Sequence, residues 1–152
     1  MSTNAELYEQ DFYAWTQTTA ALIRAGEWYD LDPEALAEEV ESLGKSQQRE
    51  LASRLDVLVM HLLKWRYQPS RRQEGHSWRS TIRTQRRELR RLLQQNPSLV
   101  PQAAPVIAEG YEDARLEASD ETGLPLATFP PTCPWQTEQV LDAEFWPEEE
   151  SC

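Results

Sequence analysis

Three groups of residues have the types and spacing to do chemistry. Glu38 and Glu41 stand three residues apart, on one face of a helix. If they met His61, they would offer the carboxylate and imidazole ligands that zinc or a non-haem metal takes. Trp78, Arg79 and Arg83 follow in a later segment. A carboxylate facing either arginine would form a charge-assisted, bidentate network. That network would either fix helix register or line a polar pocket for a small anion or metal. The third group is a run of cations. Arg79, Arg83, Arg86 and Arg90 recur at 4-3-4 spacing, flanked by Arg87 and Arg91. This spacing builds one helical face with the footprint of a polyanion binder, in the residue type best suited to bidentate phosphate contacts.

The remaining inventory narrows the chemistry. The chain has two histidines, no HExxH and no Glu-x-x-His at the spacing of di-iron bundles. GxSxG, GxGxxG and P-loop patterns are absent. Cys133 and Cys152 form no CxxC, and two reduced thiols are expected. No catalytic residue, metal or cofactor is therefore assigned. The enzymatic alternative rests on the Glu/His/Arg cluster alone.

Charge is segregated along the 152 residues. The chain carries 15 Lys and Arg against 26 Asp and Glu, for a net charge of −11. Residues 64–91 hold ten of the cations and two carboxylates, a local charge of +8, leaving −19 elsewhere. An acidic molecule repels nucleic acid at long range, and no aromatic is interleaved on the arginine face to stack on bases. Nucleic acid is thus an alternative partner and not the favoured one. An acidic protein surface, in the same chain or another, is the favoured one. No apolar run reaches the roughly 18 residues of a spanning helix, and the N-terminal stretch has no basic or apolar leader pattern. A cytoplasmic protein with no membrane partner is expected.

The elements that must position these residues are helices. Tyr8, Phe12, Trp15, Thr19 and Leu22 predict one helix over 4–25, stopped by Gly26. Asp32 and Pro33 predict the start of a second, with Leu36, Val40 and Leu43 as its apolar stripe and Gly44 as its end. Ser46 caps a third, in which Leu51, Leu55, Leu58, Leu62 and Trp65 run at 4-3-4-3 spacing up to Gln68. A fourth runs from Ser77 to Asn96, with Trp78, Ile82, Gln85, Leu89 and Leu92 inward. A fifth begins near Ser98 or Pro101 and ends at Gly123, with Pro105 marking a kink or a later start. Four prolines between 125 and 134 then exclude long elements. A short helix fits 137–141, and Phe145 and Trp146 anchor the tail. The expected architecture is one all-α domain over 1–152, a bundle of about five helices over 1–122 with an irregular Pro-rich segment wrapped on it.

Distinctive stretches run in order through nearly the whole chain: Asp11-Phe12-Tyr13-Ala14-Trp15, Glu38-Glu39-Val40-Glu41-Ser42-Leu43-Gly44, His61-Leu62-Leu63-Lys64-Trp65 and Ser77-Trp78-Arg79-Ser80-Thr81-Ile82-Arg83. Glu121-Thr122-Gly123-Leu124-Pro125, Cys133-Pro134-Trp135 and Phe145-Trp146-Pro147 continue them. On these residues the chain resembles the DUF29 family, small bacterial proteins abundant in cyanobacteria. The resemblance implies a helical fold in a bacterial cytoplasm. It implies no activity and transfers no site residue. The leading expectation is a non-enzymatic helical protein that acts through protein–protein contacts or self-association.

Overall fold

The computed structural model describes residues 4–72 and 76–148, with the backbone alone at His76. It is all-α, as expected, and among the described residues it holds six α-helices joined by short 3-10 turns. These are α1 (Asn4–Gln10), α2 (Phe12–Ala25), α3 (Pro33–Tyr67), α4 (His76–Gln95), α5 (Ala103–Thr122) and α6 (Thr137–Leu141). Among the described residues no helix is long and apolar enough to cross a membrane. The chain divides into two compact units, Met1–Ser46 and Gln47–Cys152.

In the first unit the expected helix over 4–25 is broken at Asp11. Its backbone leaves helical geometry and its carboxylate accepts the Ala14 N–H at 3.0 Å, capping α2. The break folds Tyr8, Phe12 and Trp15 into one aromatic cluster, with the Tyr8 and Trp15 ring centroids 4.8 Å apart. Trp15, Thr19 and Ala35 are buried. Gly26 ends α2 at φ +71°, the left-handed geometry that glycine adopts without a Cβ penalty. Asp32 caps α3 through the Ala35 N–H at 3.2 Å, with Pro33 in the first helical position.

The predicted stop at Gly44 and cap at Ser46 are corrected. α3 runs unbroken for 35 residues through both. A helical glycine costs only about 1 kcal/mol against alanine, which the flanking turns absorb. Val40 and Leu43 of the predicted apolar stripe are exposed at 60% and 68%. A Cβ at Gly44 would meet nothing within 4 Å, so Gly44→Ala is expected to stabilise the protein by about 0.5–1 kcal/mol. Urea denaturation measures this. A loss of stability would show that the chain turns at Gly44.

In the second unit the predicted α3 stripe of Leu51, Leu55, Leu58, Leu62 and Trp65 is buried throughout. It packs in one cluster with Ile82, Leu89 and Leu92 of α4, and with Ile107, Tyr111, Ala114 and Ala118 of α5. Pro105 lies in the first turn of α5, where its missing N–H is not needed, so the helix starts just before it. Gly123 closes α5 at φ +73°, as its position predicted.

The Pro-rich tail is part of this core, since Phe129 and Val140 are fully buried in it. Side chains of α5 serve the tail's backbone carbonyls. Tyr111 donates to Pro130 O at 2.7 Å, Arg115 to Phe129 O at 2.9 and 3.1 Å, and Ser119 to Leu124 O at 2.7 Å. A segment without regular hydrogen bonding needs such partners when it is buried.

One half-buried acid is left over. A Cβ at Gly110 of α5 would clash with Asp56 Oδ1, so the Asp56 carboxylate lies against the α5 backbone. Desolvation, then the charges of Asp113 and Glu117, push its pKa from 3.8 up to about 6. The folded state therefore holds a proton that the unfolded chain releases. The stability this group contributes is full below about pH 4 and is lost as pH rises through about 6. Asp56→Asn removes the penalty. Because the carboxylate is half-exposed, the gain is discounted to about 1 kcal/mol at pH 8, with none at pH 4. Thermal melts of both proteins at the two pH values check the sign.

Candidate arginine–tryptophan site

The amphipathic repeat of α4 places Arg79, Arg83 and Arg86 at i, i+4 and i+7, on consecutive turns of one face. The tail delivers Trp146 to that face. The Trp146 ring centroid lies 4.7 Å from that of Trp65, and the guanidinium carbons of Arg79, Arg86 and Arg83 stand 5.5, 5.6 and 6.0 Å from it. Arg79 also lies 5.7 Å from the Trp65 ring, and Arg72 5.1 Å from it. Each guanidinium is attracted by the negative face of an indole. Arg72 fastens the segment further, donating to Trp65 O at 2.6 Å and to Pro147 O at 3.4 Å. The Trp65 N–H is buried without an acceptor among the described residues, so that ring is held by its faces.

Arg86 departs from the outward face assigned to it. It is 2% exposed. Its guanidinium donates to Val140 O at 2.9 Å, Phe145 O at 2.7 Å and Gln139 O at 3.3 Å. Burial lowers its pKa, opposed by the charge of Asp142. It is a structural tie between α4 and the tail. Helical periodicity could not show this, because the acceptors lie more than fifty residues away.

The outer face therefore consists of Arg79, Arg83, Arg87, Arg90 and Arg91, all exposed. Glu88 stands 3.6 Å from Arg87 and 3.9 Å from Arg91, distances at which exposed pairs contribute little. Among the described residues, Arg79, Arg83 and Arg90 have no carboxylate partner.

The residues of the expected Glu/His/Arg cluster fall in both units. Glu38 and Glu41 lie in the first unit, both exposed. Tyr8 donates to Glu39 at 2.5 Å and to Glu38 at 3.4 Å, and these carboxylates raise its pKa. Glu38, Glu41 and His61 are all residues of α3. His61 donates from Nδ1 to Val57 O at 2.8 Å, and desolvation lowers its pKa. Trp78 faces Lys64, whose Nζ is 5.2 Å from its ring. Lys64 is itself buried and ion-paired with Glu121. Among the described residues no three His, Cys, Asp or Glu side chains gather as a metal-binding group. Cys152 lies outside the described residues.

Sequence reasoning missed Trp146 and Lys64 as parts of this site. Its sequence position marks Trp146 as an anchor, and it packs against the core. That it brings an aromatic to the arginine face follows from tertiary packing.

A family model described as "Domain of unknown function DUF29" matches residues 7–146, nearly the whole chain. Neither the curated proteins nor the solved structures gave a match.

Proposed function

The chain belongs to the DUF29 family, and we propose that within it this protein is a non-enzymatic helical module that docks an acidic protein surface through the outer arginine face of α4. The observation that carries this reading is the row Arg83, Arg87, Arg90 and Arg91, exposed on consecutive turns with Glu88 their one carboxylate partner among the described residues. Unsatisfied like charges on a rigid helix favour an anionic partner and set its orientation. The net charge of −11 weighs against a long nucleic acid, whose field repels an acidic molecule before contact. One observation favours the nucleic-acid alternative. Trp146 supplies the indole that the arginine face lacks in sequence, beside Arg79 and Arg83. In keeping with the family resemblance, this reading puts the protein in a bacterial cytoplasm, cyanobacterial by preference.

Affinity capture from the source lysate, split into nuclease-treated and untreated halves, separates the two readings. A protein partner that survives nuclease is the expected result. Captured nucleic acid, with partners lost on digestion, would overturn it.

A further inference from the structure

A groove of about 610 Å³ lies between α5 and the tail, on a part of the second unit that the arginine face does not use. Its floor is apolar, from Ile107, Ala108 and Tyr111. Trp135 forms a wall, its ring held edge-on to Phe145 at 6.4 Å. Glu112 and Glu138 stand on it from opposite elements, and both are exposed. Among the described residues no lysine or arginine lines it. An indole, two carboxylates and an apolar floor are the chemistry that receives a guanidinium. The ring face attracts the cation, the floor takes the methylene stem, and the carboxylates accept its N–H donors.

The same chain displays the complementary group. Arg87, Arg90 and Arg91 project from α4 as exposed guanidiniums, and the long Glu88 contacts leave the donors of Arg87 and Arg91 largely unused. We propose that the groove between α5 and the tail seats arginines from the α4 face of a second copy of this chain. The inference rests on the reading of α4 as a protein-docking face, and it supplies that face with its acidic partner. Two different surfaces meet in such a contact, so it is head-to-tail and propagates into a ring or a filament. At a Debye length of about 8 Å in 0.15 M salt, the repulsion between two acidic molecules is screened while contact pairs persist.

The test is analytical ultracentrifugation of four samples in 0.15 M salt: the wild type, Glu112→Gln with Glu138→Gln, Arg87→Ala with Arg90→Ala and Arg91→Ala, and an equimolar mixture of the two variants. The wild type is expected to associate with rising concentration and to dissociate in 1 M salt. Each variant alone is expected to stay monomeric. The mixture is expected to form a heterodimer and stop there, because one intact groove and one intact arginine face remain. A wild type that stays monomeric overturns the proposal, as does a mixture that stays monomeric. If the glutamine variant associates like the wild type, the groove is not the seat. In that case, loss of association in the alanine variant preserves the arginine face as a docking surface. Undiminished association in both variants removes both readings.

Discussion

Replacing Arg86 with methionine is expected to destabilise the protein by about 3 kcal/mol and to lower its thermal midpoint by roughly 10 °C. The guanidinium donates to three carbonyls of the tail, at Gln139, Val140 and Phe145. Hydrogen bonds from a charged donor contribute more than neutral ones, and acceptors left buried without a donor are costly. Methionine fills a similar volume, so the loss reports the donors and not a cavity. Arg86→Lys should recover only part of it, because an ammonium cannot reach three acceptors from one planar fork. Urea denaturation followed by tryptophan fluorescence measures both variants. A loss below about 1 kcal/mol for the methionine variant would mean that water serves these carbonyls.

Phe129→Ala is expected to cost more, about 4 kcal/mol, although the residue sits in a segment with no regular structure. Its ring is fully buried in the core and meets Tyr67 edge-on, with centroids 5.5 Å apart. The backbone carbonyl that accepts from Arg115 remains in the variant, so the lost term is apolar burial and the cavity left behind. Phe129→Leu keeps most of the volume and should lose about 1.5 kcal/mol. A thermal melt that placed Phe129→Ala within a degree or two of the wild type would show that the tail only rests on the helices. Together the two substitutions test whether the Pro-rich tail belongs to the fold.

The parts of this fold legible in sequence are those set by local stereochemistry and by one helix's own period. Gly26 and Gly123 both cap helices in left-handed geometry, Asp32 and Pro33 start α3, and the leucine stripe of α3 is core where the 4-3-4-3 spacing put it. Gly44 shows the limit of that reasoning. Glycine permits a stop but does not impose one, and here the helix continues. Asp11 shows the reverse, an aspartate within a periodic stripe that caps a new helix. The stripe of Val40 and Leu43 carries a helix-face signal that nothing among the described residues of its unit buries. At the site, five of the six arginines on α4 lie outward as their spacing implied. Arg86 and Lys64 are buried because their partners come from the tail and from the end of α5, beyond the reach of any helical pattern. The same distance hid Trp146 as a neighbour of the arginines.

That α4 docks an acidic protein surface is tested most directly by reversing its charge. Arg83→Glu, Arg87→Glu, Arg90→Glu and Arg91→Glu, combined in one chain, change exposed side chains only. Protein captured from nuclease-treated lysate is then compared with the wild-type yield, after matching far-UV spectra establish that both chains are folded. The expected result is a drop in partner yield of about tenfold or more, the equivalent of roughly 1.4 kcal/mol of lost binding. An undiminished yield from the charge-reversed face would contradict the proposed function.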